Sequence, residues 1–393
     1  MTAGAFHRYH SLDALRASMM LLGIVLHSAV NYADAPMGAA WPYKDRQTSS
    51  LFDLMVFVIH LFRMPVFFVA AGFFAAMLIQ RDGLRAFIVN RTKRVLLPLA
   101  LFWPIVVPAA AAGFVYANAR AGGTLDMAAL ESGSVLSRPL LGHLWFLWDL
   151  MLFYAAAALL VPLASRIPER WSRRVDSAFG AVATTITGAV AMSVVTAVTL
   201  LPMETAGLDT SPALLPPIRV LAAYGVFFAF GWLLFRRRDV IESFAKGWKV
   251  PLIMGTGVTV AYLMVTVGQV VTDPWRAHVL GCALGGLSIW MLIYGIVGAF
   301  VCLLDRPNRI VRYVSDASYW MYLVHLPLAI AVPGVLAPSP LPAAVKFAIT
   351  LAATTAATLV SYHYLVRSTV IGELLNGRRH PRALPSAMSS AFR

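Results

Sequence analysis

Apolar residues in this 393-residue chain come in long uninterrupted blocks rather than in narrow stripes. Ten blocks lie near 11–32, 52–80, 95–118, 142–165, 177–201, 216–235, 250–271, 278–304, 311–335 and 342–366. Each is close to the roughly 20 mostly apolar residues that a helix needs to cross a bilayer. The pattern predicts an all-α polytopic membrane protein of about ten transmembrane helices. The tenth block, rich in Ala and Thr, carries the weakest signal. The longest interruption, Ala119 to Leu141, is too short for a soluble domain. Any chemistry is therefore expected inside the bundle or at its mouths. Residues 1–370 read as one transmembrane domain, and 371–393 as a cytoplasmic, disordered tail. The first block is long, charged and without a small-residue cleavage site, so it reads as a retained helix rather than a signal peptide.

Composition agrees with this reading, with 59% hydrophobic residues, 13% charged residues and a mean hydropathy of +0.73. The net charge of +14 would suggest nucleic-acid binding in a soluble protein. Its distribution argues otherwise. Of 32 Lys and Arg residues, 24 fall on one side, in loops, near helix ends and at the two termini, 7 fall on the other, and Arg63 alone is left inside a predicted helix, on neither side. Because cytoplasmic loops carry the excess of positive charge, both termini are expected in the cytoplasm, as an even number of spans requires. The partner implied is the lipid bilayer, with no nucleic acid. Cys282 and Cys302 share one predicted helix about 30 Å apart along its axis, which leaves no disulfide or metal role for the pair. Gly281 and Gly285 mark close helix packing.

Ionisable residues inside these blocks are expensive in lipid and point to function. The first block holds Asp13, Arg16 and His27. Arg16 and His27 are 11 positions apart, about 20° past three full turns, and Asp13 falls within about 40° of His27. All three share one face, with Gly23 on that face as a gap for a neighbour or ligand. A neutral imidazole titrates near physiological pH, so His27 is the strongest candidate general base. It lies about 22 Å along the helix from Leu12, toward the outer half. Asp13 and Arg16, about 16 to 21 Å away by rise, belong to the opposite end or to an internal ion pair.

The second block carries His60 and Arg63, three positions apart and adjacent on one face. Arg63 cannot snorkel easily at this depth and calls for an anionic partner: Asp13, Asp53, or a substrate. At the inner mouth, Arg91, Lys93 and Arg94 fit either topogenic charge or a grip on the phosphates of a cytosolic donor. The fourth block opens with His143, Trp145 and Trp148, which fit an interfacial belt or sugar stacking. In the ninth, Ser318, Tyr322 and His325 fall on one stripe, with His325 either a satisfied hydrogen-bonding residue or a participant. An inner cationic mouth and an outer base suggest a donor from the cytosol meeting an acceptor from outside. No metal is called for.

These elements resemble those of a known family. Arg16 and His27 are similar to the Arg/Lys, ten residues, His pattern in the first helix of the membrane acyltransferase 3 family. Arg91-Thr92-Lys93-Arg94 resembles its RxxR element, and Tyr322-Leu323-Val324-His325 its YLxH element. Leu12 to Arg16, Met20 to Ile24, His60 to Met64 with Val66 to Val69, and His143 to Leu147 resemble the glucans biosynthesis protein C branch of that family. The resemblance implies an enzyme of the bacterial inner membrane that moves an acyl group from cytoplasmic acyl-CoA to a periplasmic saccharide. For this branch it implies succinyl-CoA as donor and an osmoregulated periplasmic glucan as acceptor. In those terms, His27 and Arg63 are the expected catalytic residues. Asp13, Arg16, Arg91, Lys93 and Arg94 are expected on the donor side, and His60, His143, Trp145, Tyr322 and His325 on the acceptor side. An acetyltransferase acting on another envelope polymer, or a saccharide exporter, are the alternatives. Where the family often has Ser-Gly-Phe, this chain has Ala71-Gly72-Phe73, so no hydroxyl at that position is essential to its chemistry.

Overall fold

The computed structural model describes residues 9–123 and 141–381, and every regular element among them is helical. The helices are α1 (His10–Val30), α2 (Ser50–Arg91), α3 (Leu97–Ala121), α4 (Trp145–Ala164), α5 (Glu169–Ala183) and α6 (Ile186–Leu200). They continue with α7 (Ile218–Arg236), α8 (Ile241–Gly247), α9 (Lys249–Thr266), α10 (Pro274–Leu304), α11 (Arg309–Leu336), α12 (Ala343–Ser361) and α13 (Val370–Asn376). The protein is a polytopic helical membrane protein.

Among the described residues, eight helical stretches are long and apolar enough to span a bilayer. One of them, Ser50–Ala121, runs for 72 residues. A straight rod of that length would measure about 108 Å, more than three times the hydrocarbon thickness. Gly83 breaks it, with φ 84° and ψ 168°, so the blocks expected at 52–80 and 95–118 are both contained in this single stretch. The block expected at 177–201 is corrected: it is not one rod but α5 and α6, bent by 109°. Thr184 and Thr185 sit at the bend, and the Thr185 hydroxyl caps α6 by accepting from Gly188 N at 3.2 Å. Average hydropathy across that bend gave a single block because Thr is nearly neutral on such a scale.

The two sets of loops separate to opposite ends. At the basic end Ser11 meets Asp305 (3.3 Å), Arg238 meets Gln80 (3.5 Å) and Arg236 meets Asp176 (2.6 Å). At the other end Arg46 donates to Ala121 O (2.7 Å), Trp148 to Leu214 O (2.9 Å) and Lys346 to Asp45 (2.8 Å). Lys346 is thereby corrected from an outer-loop charge to a side chain of α12 with no exposed surface, paired with an equally buried Asp45. Residues 371–381 of the expected tail begin within helix α13 and continue as ordered chain, whereas 382–393 lie outside the described residues, as does most of the 119–141 interruption.

Close backbone approach builds the core. A side chain at Gly72 would fall 2.0 Å from Phe228 O, and one at Gly231 1.9 Å from Val69 O, so α2 and α7 pack backbone to backbone. Gly281 and Gly285 pack on Ala206 and on Tyr262 of α9, as their spacing indicated. In this frame α1 is enclosed by α2, α10, α11 and α12, which removes its polar face from lipid.

Candidate active site

Near the end opposite the basic loops, α1 and α11 bring two imidazoles into contact. His27 Nδ1 lies 2.8 Å from His325 Nε2, with the rings 12° from parallel. On its other nitrogen, His325 Nδ1 lies 2.7 Å from the Tyr322 carbonyl. A carbonyl only accepts, so Nδ1 of neutral His325 carries the proton and its Nε2 is a bare lone pair. His27 Nδ1–H must then be the donor to His325. This assignment, made from the hydrogen-bond pattern, leaves the lone pair of the string on His27 Nε2. His325 has no exposed surface, whereas His27 is only partly buried, so the free nitrogen belongs to the residue a substrate can reach.

His143, from the turn that starts α4, completes the cluster. Its ring stands edge-on to His325 (5.1 Å) and to His27 (6.3 Å). Its Nε2 lies 3.2 Å from both Tyr322 O and Leu323 O, and the Tyr322 hydroxyl donates back to His143 O at 2.7 Å. The Leu323 carbonyl is available because Pro327, one turn on, has no N–H to offer it. His143 Nδ1 is thus bare, buried and without a partner. The stripe expected on α11 does face inward, with Ser318, Tyr322 and His325 all buried.

Arg63 reaches this cluster from α2. Its guanidinium carbon would lie 3.3 Å from a side-chain carbon at Gly23, so the gap on α1 is filled by that arginine. Arg63 is 8% exposed and is an electrostatic neighbour of His27, His60, His143 and His325. The expected pairing with Asp13 or Asp53 is corrected. Asp13 lies 3.9 Å from Arg16, and Asp53 accepts from the amides of Asp34 and Ala35, both at 2.9 Å. Each carboxylate is occupied within reach of its own helix end, and among the described residues Arg63 makes no ion pair. His60 Nε2 meets Leu208 O at 3.2 Å, which ties the α6–α7 connection over this region. Trp145 is not among the ring neighbours of the imidazoles; it packs 5.7 Å from Tyr224.

The donor-side residues gather at the basic end but do not act alike. Thr92–Leu96 forms a π-helical turn, a rare insertion that swings its side chains out of α-helical register. Lys93 and Arg94 on this turn line a cavity of about 590 Å³ with Asn90, Asp82, Glu373 and Gly377. Arg91 does not line it. Its guanidinium stacks on Tyr154 (4.7 Å) and Phe87 (5.5 Å), a cation–π anchor inside the bundle. Arg16 and Arg91 lie within the electrostatic reach of Arg94, and the Tyr319 hydroxyl donates to Arg94 O at 2.9 Å.

Two residues of this region gave no periodic signal. Trp41, in the α1–α2 connection, stacks on His27 at 5.5 Å and 15°, and its Nε1 donates to Asn31 Oδ1 at 3.1 Å. Asp149 of α4 has no exposed surface and, among the described residues, no hydrogen-bond partner on either oxygen. As the lone carboxylate of the fourth apolar block, Asp149 was detectable by the same rule that singled out Arg63.

Comparison with known proteins gives a consistent result. The model of the family described as acyltransferase domain matches residues 9–363. Glucans biosynthesis protein C from Salmonella gallinarum is 25% identical over 338 residues, covering 82% of this chain and 83% of that protein. The protein of the same name from Escherichia coli strain K12 is 31% identical over 140 residues, 36% of this chain, so the matched stretch spans only about a third (35%) of that relative's length. No solved structure matches.

Proposed function

The chain belongs to the acyltransferase-domain family, and from that premise we propose that it is a membrane O-acyltransferase that moves a succinyl group from cytoplasmic acyl-CoA to hydroxyls of a glucan on the opposite face of the bacterial inner membrane. The observation that carries the chemistry is the His27–His325 hydrogen bond, because it leaves the lone pair on His27 Nε2 beside a guanidinium that makes no ion pair among the described residues. The name shared by the two relatives, glucans biosynthesis protein C, supports the choice of a glucan acceptor.

In this mechanism Lys93 and Arg94 bind the phosphates of coenzyme A in the cavity at the basic end. The thioester must then reach past Arg16 to His27, about 16 Å along α1, a distance suited to a long flexible arm rather than to a compact donor. His27 Nε2 accepts the proton of a glucosyl hydroxyl as the oxygen attacks the thioester carbonyl. The C–O bond forms, the tetrahedral intermediate collapses with cleavage of the C–S bond, and the departing thiolate takes the proton from His27. Neutral His325, fixed by the Tyr322 carbonyl, accepts from His27 Nδ1–H throughout and keeps the ring in the tautomer that presents Nε2.

Arg63 supports succinyl over acetyl. A buried guanidinium with no carboxylate of its own is a poor structural element, but it is a good receptor for the free carboxylate of a dicarboxylic acyl group or for the developing oxyanion. The deciding experiment is mass analysis of periplasmic glucans from wild-type and deletion strains. Loss of a succinyl increment supports the proposal. Loss of an acetyl increment overturns the donor assignment, and glucans of unchanged mass overturn the acceptor.

A further inference from the structure

The charged and titratable groups around His27 share one property that acid–base chemistry makes conspicuous: among the described residues none is an anion. His325 faces it from α11, His143 from the start of α4, and His60 and Arg63 from α2. Any imidazole that takes up a proton here does so beside a guanidinium and three other imidazoles. Serine-hydrolase histidines meet the same situation with a carboxylate. A further neighbour is Trp41, whose indole plane lies 15° from parallel to the His27 ring with the centroids 5.5 Å apart. That is within the range at which an aromatic face attracts a cation, and indole is the best of the side-chain rings for it.

Trp41 is held in that place with unusual thoroughness for a loop residue. It is 9% exposed and packs edge-on to Phe114 of α3 at 5.1 Å. Its N–H donates to Asn31 Oδ1, and the Asn31 amide donates in turn to His27 O (2.9 Å), Ser28 O (3.1 Å) and Ala329 O (3.0 Å). One residue beyond Trp41, Pro42 O accepts from Asn118 at 2.7 Å. Four residues beyond it, Asp45 accepts from Lys346 at 2.8 and 3.1 Å, and its amide donates to Asn31 O at 2.9 Å. Tyr43 donates to the same carboxylate at 3.3 Å; burial, and then Asp45 itself, hold that hydroxyl above its ordinary range, so it remains a donor. A fully buried ion pair is weak support for stability as such, and its best-attested use is to fix one geometry.

We propose that Trp41 acts on the reaction through His27, its indole ring stabilising the cationic form of that imidazole during transfer, and that the Asp45–Lys346 pair is the positioning device that keeps the indole there. The proposal rests on the reading of His27 as general base and adds the residue that makes protonation of His27 tolerable.

The test uses the full chain in lipid nanodiscs, with Trp41→Phe, Trp41→Leu and Lys346→Met. Turnover should fall in the order Trp, Phe, Leu, with a loss of about 30-fold for Trp41→Leu, the scale of a desolvated cation–ring contact. The KM for acyl-CoA should stay unchanged, because Trp41 lies at the far end of α1 from the donor cavity. Lys346→Met should lower kcat in the same way with Trp41 intact. A second readout needs no acyl transfer: carbethoxylation of His27 by diethylpyrocarbonate, followed by peptide mass spectrometry, with His60 as internal reference. Removing the indole should speed His27 selectively. Wild-type kcat in Trp41→Leu, or equal acceleration at His27 and His60, overturns the proposal. Failure of the wild-type protein to acylate any glucan overturns the substrate reading instead, while the His27 to His60 ratio still decides whether Trp41 covers the imidazole.

Discussion

His27 and His325 are 298 residues apart along the chain and joined by a 2.8 Å hydrogen bond, so the last turn of α1 and the middle of α11 share one proton-handling unit. The Tyr322 carbonyl sets its direction, since it fixes the proton on His325 Nδ1. The two histidines therefore have unequal roles despite their contact: one exchanges protons with substrate and the other holds it in the right tautomer.

Substitution should separate those roles. His27→Ala removes the base and is expected to lower kcat by about 10²- to 10⁴-fold, the usual span for general base catalysis. His325→Phe leaves the base but removes its acceptor, and a smaller loss of roughly 10- to 100-fold is expected, as for other groups that orient a functional histidine. The KM for acyl-CoA should move in neither variant. Steady-state kinetics of the two purified proteins is the measurement, and equal losses would mean that His325 itself handles the proton.

Arg63 and Gly23 form the second pair to test, because the glycine exists to admit the guanidinium. If Arg63 holds the succinyl carboxylate, Arg63→Met should lower kcat/KM for succinyl-CoA by roughly 10- to 100-fold, the worth of a hydrogen bond to a charged group. The value for acetyl-CoA should change far less. Gly23→Ala brings a methyl to 3.3 Å from the guanidinium, so it should shift Arg63 slightly and reproduce the same bias in weaker form. The ratio of the two donors' kcat/KM in each variant is the readout. A parallel fall for both would place Arg63 at the oxyanion rather than at the carboxylate.

Much of this site is legible in the chain because membrane burial makes each charge or imidazole conspicuous. The 11-residue interval from Arg16 to His27, the stripe of Ser318, Tyr322 and His325, and the lone Arg63 all stand out against apolar surroundings. Their partners do not. Nothing local says that His27 meets His325 rather than His60, since contact between helices is set by packing over the whole bundle. Arg63 invites a search for a carboxylate, and spacing cannot reveal that Asp13 is taken by Arg16 and Asp53 by two loop amides. Trp41 and Lys346 escaped for a different reason. One lies in a loop without period, and the other counts as a loop charge until its burial against Asp45 is seen.

At the basic end the three cations should divide by function. Lys93→Ala and Arg94→Ala should raise the KM for acyl-CoA several-fold, with the wild-type KM itself rising with salt, because phosphate contacts near a solvent-filled cavity are screened over a Debye length of about 8 to 10 Å. Arg91→Ala should instead lower thermal stability through its lost stacking on Tyr154 and Phe87, with little change in KM. Gly377→Ala offers an independent check. That glycine has φ 75°, and an added methyl would collide with Arg94 Nη2, so it should raise KM without removing any charge. Donor titrations at low and high salt distinguish these outcomes.

Asp149 provides a prediction about stability alone. Its carboxyl has no exposed surface and neither oxygen has a partner among the described residues, although Tyr224, whose hydroxyl likewise has none there, is an electrostatic neighbour. A buried polar group left unsatisfied costs about 1–3 kcal/mol, and replacing it with an apolar side chain of similar volume recovers that cost. Asp149→Leu is therefore expected to unfold at a higher temperature in detergent, by an increment corresponding to about 1–3 kcal/mol, and Asp149→Asn to gain less because its amide stays unsatisfied. A stabilised Asp149→Leu protein with intact transfer would make the aspartate a tolerated defect of the core. A stabilised protein that has lost turnover would show that the strain serves the reaction, as expected if the carboxyl meets the substrate in the bound state. A destabilised Asp149→Leu would contradict the absence of partners from which the prediction starts.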